Sequence, residues 1–202
     1  MIIIGITGPS GAGKGAVSEI LARKYGYKVI DADQVYHNII SVPSECVNEL
    51  VLSFGDDILN EVGGINRRSL SKKVFGEENK DKLLLLNKIT HKYVISEIEK
   101  IIEEGKISGV EVCVIDAPLL IEAGVDKICD RVIAVISDKE VRAERIAKRD
   151  GIDKEAALLR INSQKSDSFY TDACDFVLSN DLRLQELEVL VDSCLRDLGV
   201  LK

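Results

Sequence analysis

The sequence predicts an α/β fold built on a parallel sheet of about five strands with helices on both faces. Short apolar runs alternate along the chain with longer segments in which apolar residues recur every three or four positions. This alternation is typical of strands joined by crossover helices. The apolar runs do not alternate with polar residues, which indicates strands that are buried on both faces.

Five segments are predicted to form strands, and the last is the weakest. They are rich in Val and Ile, which favour buried extended conformations. The segments span 2–6, 28–30, 110–115, 131–136 and 175–178. The second runs directly into Asp31 and the third is followed by Asp116. Carboxylates are therefore expected where two of the strands end.

Helices are predicted between the strands. One begins in the loop after the first strand and ends at Gly26, and others are predicted over 138–150, 152–164 and 182–199. Residues 33–107 have no strand signal, and their periodicity is helical. We expect this region to be a helical excursion from the sheet rather than a separate domain.

The chain is therefore predicted to form a single domain of three parts. The core comprises residues 1–34, 107–137 and 171–202. A helical insertion of about 35–106 leaves the core after the second strand, where such excursions commonly build a second substrate's pocket. A helical lid of about 138–170 follows the fourth strand.

Composition excludes several classes of protein. The net charge of −7 argues against a nucleic-acid-binding surface, which would be basic. No apolar run approaches the ~20 residues of a membrane span, and the N-terminus lacks the basic region of a signal peptide. The five cysteines are odd in number and widely spaced, which indicates reduced thiols. We expect a cytoplasmic protein that acts as a monomer or weak homo-oligomer and contacts neither nucleic acid nor membrane.

The stretch GPSGAGKG at 8–15 is the strongest local motif. It fits the phosphate-binding P-loop G-x-x-x-x-G-K-[ST] except at Gly15, where a Ser or Thr hydroxyl normally binds magnesium. It follows a strand and opens a helix, as a phosphate cradle requires. Lys14 is expected to reach the β- and γ-phosphate oxygens. The candidate nucleotide-binding residues are Gly8, Gly11, Ala12, Gly13, Lys14, Gly15 and Ala16.

Three aspartates are candidates for the chemistry of phosphoryl transfer. Asp31 and Asp33 lie two residues apart at the end of the second strand, where a carboxylate could take a proton or orient magnesium-bound waters. The alternative is that they cap the helix that follows. Asp116 at the end of an apolar strand is typical of a metal-facing carboxylate opposite a P-loop. Pro118 then ends the strand direction, and Leu119 and Leu120 are expected to pack.

Arg142, Arg145 and Arg149 are spaced three and four apart on one predicted helix. They could form a solvated surface with Glu140 and Glu144 through local ion pairs. They could also belong to a mobile lid that neutralises a transferring phosphoryl group, because they follow the fourth strand of a P-loop domain. His37 and His91 have no second ligand at metal-binding spacing, so a zinc site is not expected.

Taken together, these motifs resemble the dephospho-CoA kinase family nearly from end to end. The resemblance rests on Asp31-Ala32-Asp33, GGINRRSLSKKVF at 63–75, LNKITH ending at His91, DAPLLIEAG from Asp116, RAERIAKRDG from Arg142, RINSQ ending at Gln164, and ACDFVLSN ending at Asn180. A P-loop is shared by many kinases, but these motifs in this order are far more specific.

The resemblance implies a three-layer P-loop kinase fold that phosphorylates the ribose 3′-hydroxyl of dephospho-CoA with ATP and Mg²⁺. Asp33 would be the base and Lys14 the phosphate clamp, while Arg145 and Arg149 would act from the lid. His91 and Leu119 would contact the acceptor, and Asn180 would lie near adenine. The remaining alternatives are another P-loop kinase of a nucleotide or small alcohol, and a non-catalytic nucleotide-binding switch.

The chain departs from the family pattern at three places. Gly15 and Ala16 replace a Ser-Thr pair, Lys92 replaces a proline after His91, and a cysteine enters the late Ala-Asp motif. The second departure predicts a helix that continues past His91 rather than kinking there. For the first, magnesium retains much of its water shell, so Asp31 and Asp116 are expected to hold it through waters.

Overall fold

The computed structural model describes residues 1–181 and 184–201. Within them lies one parallel sheet of five strands in the order β2-β3-β1-β4-β5. The strands are β1 (Ile2–Thr7), β2 (Lys28–Asp31), β3 (Val112–Asp116), β4 (Arg131–Ile136) and β5 (Phe176–Ser179). Every predicted strand is present, and the α/β fold is confirmed.

Strand β1 lies at the centre of the sheet because its side chains can be buried on both faces. The four consecutive residues from Ile4 to Thr7 are all buried, and successive residues of a strand point to opposite faces. β1 pairs with β3 on one side, where Ile6 lies opposite Asp116, and with β4 on the other. Since parallel strands end at the same edge, the segments that follow β1, β3 and β4 meet there.

The described residues form nine α-helices. They are α1 (Lys14–Tyr25), α2 (Ala32–Ser41), α3 (Glu45–Phe54), α4 (Arg67–Val74), α5 (Lys80–Ile107), α6 (Lys139–Asp150), α7 (Lys154–Asn162), α8 (Asp167–Thr171) and α9 (Leu184–Asp197). Helix α8 was not predicted. The last predicted helix began at Leu182, but Leu182 and Arg183 lie outside the described residues.

Contacts divide the chain into two compact units, one of residues 1–30 and 105–202 and one of residues 31–104. In the first unit, α1 and α9 pack with β1, β3, β4 and β5 around an aliphatic core. That core includes Ile4, Ile6, Leu21, Val114, Val135 and Leu195. None of the described helices is both long and apolar enough to cross a membrane.

The second unit has its own core, to which α2, α3, α4 and the N-terminal half of α5 contribute side chains such as Ile40, Leu50, Leu70 and Leu86. The short 3-10 turn of Asp56–Ile58 adds Ile58 to this core. Helix α5 continues without interruption through His91 and Lys92, so the prediction that the helix continues past His91 is confirmed. Without a proline at position 92, no backbone N–H is lost and the helix has no cause to kink.

Candidate active site

The loop after β1 has a backbone that only glycine adopts readily. Gly8, Gly11 and Gly13 have φ values of 141°, 81° and 96°. A Cβ atom on Gly8 would lie 2.0 Å from the carbonyl oxygen of Val135, and one on Gly13 would lie 2.0 Å from the side-chain nitrogen of Asn180. The P-loop glycines are therefore required both by their dihedral angles and by close contacts with β4 and the end of β5.

Backbone N–H groups of this loop form a cradle for an anion. Ala12 N–H donates to the carbonyl of Pro9 at 3.3 Å, and Ala16 N–H donates to the carbonyl of Gly13 at 3.0 Å. Within the described part of the chain, the N–H groups of Gly11, Gly13 and Gly15 have no hydrogen-bond acceptor. Together with the positive end of the α1 dipole, these donors suit phosphate oxygens.

Lys14 is the first residue of α1, and its ammonium group lies against the loop. Nζ donates to the carbonyl oxygen of Gly8 at 2.7 Å and is 3.3 Å from that of Pro9. Its charge is thus already at the cradle formed by the three N–H groups.

Gly15 differs from the other glycines of the loop. It is exposed, its φ is not positive, and a Cβ atom built on it would meet nothing within 4 Å. Neither backbone strain nor crowding therefore requires glycine at this position. A serine side chain would have room here. Compared with the usual P-loop, the site therefore lacks a hydroxyl ligand but is not closed to one by its neighbours.

Asp116 ends β3 directly beside β1, as the sequence predicted. Its Oδ2 accepts a hydrogen bond of 2.6 Å from the hydroxyl of Ser18, which is buried on α1. Sequence reasoning missed Ser18, although its position one helical turn after Lys14 could have suggested it. One carboxylate oxygen is therefore held from the same helix that begins at the P-loop.

Magnesium suits these residues only if most of its ligands come from elsewhere. Carboxylate oxygen is a ligand that Mg²⁺ prefers, and Asp116 supplies it beside the P-loop. The described residues contain no group of three or more His, Cys, Asp or Glu side chains arranged to hold a metal. Nucleotide phosphates and water would complete the coordination, in agreement with the ion's usual behaviour with phosphate substrates.

Arg145 and Asn180 both contact the carbonyl groups of the P-loop. Arg145 Nη1 is 3.3 Å from the carbonyl oxygens of Gly11 and Ala12. The buried Asn180 donates from Nδ2 to the carbonyl of Ala12 at 2.8 Å. Two of the predicted site residues are thus brought to the loop, and the observed contact of Asn180 is with the loop backbone.

Arg145 is linked to a further carboxylate at the same sheet edge. Its Nη1 also donates to Ser137 Oγ at 3.3 Å, and Ser137 donates to Asp181 at 2.7 Å. Asp181 also accepts from the backbone N–H of Asp138, and these hydrogen bonds lower its pKa. Asp181 is therefore held as a carboxylate next to the base of α6.

Arg149 does not contact the loop. Its Nε and Nη2 donate to the two oxygens of Asp150 at 2.7 and 3.0 Å. Hydrogen bonds from Arg149 and then from Arg160 lower the pKa of Asp150 to about 2. Arg142 differs again, because it is buried, so the three arginines do not form a uniform solvated face.

In the unit of residues 31–104, Asp31 and Asp33 have different positions. Asp31 is the N-cap of α2, and its Oδ1 accepts from the N–H of Gln34 at 3.0 Å. Asp33 is exposed in the first turn of that helix. The capping role therefore falls to Asp31 and not to Asp33, because the helix begins earlier than the apolar pattern indicated.

His91 and Leu119 were both expected at the acceptor. His91 is partly buried in the middle of α5. Leu120 is fully buried, but Leu119 is 48% exposed, so the expectation that Leu119 packs was wrong. The N–H of Leu120 bonds back to the carbonyl of Ala117. This turn buries Ala117 and Leu120 and leaves Leu119 facing out.

Comparison with known proteins gives consistent results. The family model described as dephospho-CoA kinase matches residues 2–186. The dephospho-CoA kinase of Fusobacterium nucleatum is 42% identical over 187 residues, which cover 93% of each chain. A solved Thermus thermophilus structure has a TM-score of 0.76 at 28% identity and 97% coverage of both chains. The solved Campylobacter jejuni dephospho-CoA kinase has a TM-score of 0.69 at 24% identity and 96% coverage of both chains, and this likeness supports the fold alone.

Proposed function

The chain belongs to the dephospho-CoA kinase family, and from that premise we propose which of its residues carry out the reaction. The enzyme transfers the γ-phosphoryl group of ATP to the ribose 3′-hydroxyl of dephospho-CoA, which completes coenzyme A. The observation that carries the assignment of residues is the cradle formed by the N–H groups of Gly11, Gly13 and Gly15 with the ammonium group of Lys14. These groups bind the phosphates of ATP, and Lys14 stabilises the charge that moves to the β,γ-bridging oxygen.

Asp33 is the proposed general base. It lies two residues beyond β2, and it is exposed in the first turn of α2. Its carboxylate accepts the proton of the 3′-hydroxyl as that oxygen bonds to the γ-phosphorus and the bond from phosphorus to the ADP oxygen breaks. Because Asp31 already caps the helix, Asp33 is not needed for that purpose.

Arg145 and Arg149 are the proposed lid arginines. Arg145 starts from the carbonyls of the P-loop, so a small rotation of its side chain would bring the guanidinium group to a bound phosphate. Arg149 would have to exchange Asp150 for the nucleotide. The insertion of about 35–106, with His91, together with Leu119 would hold the acceptor, and Asn180 would also border the adenine.

Mg²⁺ is the proposed metal, held by Asp116 and Asp31 through waters. When bound, it would neutralise charge on the β- and γ-phosphate oxygens. The hydroxyl of Ser18 fixes the orientation of Asp116 for this purpose. We further propose a cytoplasmic enzyme that works as a monomer or weak homo-oligomer.

The experiment that tests these assignments replaces Asp33. D33N should lower turnover about 100-fold or more, which is the scale of losing a general base, and leave ATP affinity within about twofold. The measurements are ADP release with dephospho-CoA and calorimetry with ATP. D81N is the matched control, since Asp81 lies in the first turn of α5. Near-wild-type turnover of D33N would remove Asp33 from the mechanism.

A further inference from the structure

Arg142 is a buried cation whose guanidinium group is bound on every nitrogen. The residue is 3% exposed. Its Nε donates to the carbonyl of Ser10 at 3.0 Å, Nη1 to Asp167 Oδ1 at 3.1 Å, and Nη2 to Gln164 Oε1 at 3.1 Å. A buried guanidinium is tolerated only when it is paired and hydrogen-bonded. The three acceptors together therefore compensate for the loss of water around Arg142.

Arg142 and Gln164 form a cluster that also binds the N–H of Ser10. Gln164 Oε1 accepts a second hydrogen bond, of 3.2 Å, from the N–H of Ser10. Arg142 and Gln164 therefore bind the carbonyl and the N–H of a single P-loop residue and also bind each other. Two side chains from the α6–α8 segment fix the peptide groups on both sides of the Ser10 Cα.

The backbone of the loop rests directly on α6 at this point. A Cβ atom on Gly11 would lie 2.8 Å from the carbonyl oxygen of Arg142. The next residue, Ala12, is 0% exposed. With so little space, a shift of α6 at Arg142 has to move the loop, because packed interiors transmit displacement rather than absorb it.

Holding Ser10 also selects the phosphate donors. Its N–H is occupied by Gln164, whereas the N–H groups of Gly11, Gly13 and Gly15 are open within the described residues. The carbonyl of Ser10 and the N–H of Gly11 belong to the same planar peptide group. A rotation that moved the Ser10 carbonyl would therefore also redirect the N–H of Gly11. The orientation of the first open donor thus depends on the Arg142–Gln164 cluster.

We propose that Arg142 and Gln164 are positioning residues that couple the P-loop to the α6–α8 segment, so that these two side chains set the affinity for ATP without touching it. The proposal rests on the proposed function of the P-loop as the ATP site. It gives Arg142 a different role from Arg145 on the same helix, which reaches the loop carbonyls and is proposed to reach phosphate. The role is one of alignment and not of charge neutralisation.

The test measures binding of a non-hydrolysable ATP analogue and of dephospho-CoA to three variants. R142M keeps the volume of the side chain, Q164A removes the shared acceptor, and D167N loosens the third contact at a half-exposed residue. R142M and Q164A should each raise the Kd for the analogue about tenfold, as loss of a hydrogen bond to a charged group implies, with dephospho-CoA affinity changed less than about twofold. The double variant R142M/Q164A should raise the Kd for the analogue by about as much as the more severe single variant, because both residues act through Ser10.

R160M is the matched control, since Arg160 pairs with Asp150 in the same segment but does not contact the loop. Q164A and D167N keep the test valid if R142M does not fold. The proposal is overturned if R142M and Q164A leave the analogue's Kd within about twofold. It is also overturned if both ligands weaken equally in step with the free energy of unfolding. A wild-type protein that does not bind the analogue would instead refute the proposed function.

Discussion

Residue 15 illustrates how one missing hydroxyl can be compatible with a working site. The other loop glycines are fixed by positive φ angles or close contacts, whereas Gly15 has neither. Asp116, the nearby carboxylate, is oriented by Ser18 instead. The protein thus retains a hydroxyl on α1, one turn further along and directed at the carboxylate rather than at the proposed metal.

We expect G15S to lower the magnesium concentration needed for nucleotide binding. The added hydroxyl would replace one water of the ion, a gain of about 1 kcal/mol or roughly fivefold, and the open surroundings of Gly15 impose no steric cost. Calorimetric titration of an ATP analogue at several magnesium concentrations measures the half-saturating value. S18A should shift this value in the opposite direction. An unchanged metal requirement in G15S would show that position 15 does not face the metal.

At the scale of elements, α5 is continuous where the family pattern has a proline. The helix passes through Lys92, whose ammonium group pairs with Glu49 of α3 at 2.6 Å. Tyr93 donates to the same carboxylate at 2.7 Å. The two helices are therefore joined on the surface next to the buried Leu50, which anchors their shared core.

K92P should destabilise the protein by about 3 kcal/mol. Proline at this position removes a helical N–H and its ring clashes with the carbonyl of Lys88. K92A should leave the free energy of unfolding nearly unchanged, since the ion pair is exposed. Urea unfolding followed by circular dichroism compares the two. Equal stability of K92P and K92A would mean that α5 tolerates a break there.

At the scale of the whole molecule, ligand binding and folding are linked through the unit that contains the P-loop. A ligand that binds only the folded state at 100 times its Kd adds about 2.7 kcal/mol of stability. For a chain of 202 residues, this corresponds to a Tm increase of about 5–10 °C. The size of the increase therefore reports whether the nucleotide cradle is intact.

K14A should lose most of the Tm increase that an ATP analogue gives the wild type, and its turnover should fall together with affinity. The ammonium group contacts phosphate in both the ground state and the transition state, so both measurements should change. K24A is the control, because Lys24 lies in the last turn of the same helix and pairs with Asp192. An undiminished increase in K14A would place the nucleotide elsewhere.

The site was only partly predictable from the sequence. The glycine-rich loop, the strand that ends at Asp116 and the helix that carries Arg145 were all predicted, because a glycine-rich turn, a strand end and a helix face are local patterns. Arg142 could not be separated from Arg145 and Arg149, since all three share one helical spacing. Burial of Arg142 follows from its contacts with Ser10, Gln164 and Asp167, which no local pattern reveals.

The amino-acid sequence by itself determined the five strands, the long helices and the family, because hydrophobic periodicity and backbone constraints act over a few residues. The tertiary structure alone decided that Ser18 binds Asp116, 98 residues away, and that Leu119 faces out while Leu120 is buried. It also placed Asn180 on the carbonyl of Ala12, 168 residues away. Such pairings depend on which strand ends and helix faces meet, and the strand order of the sheet sets that.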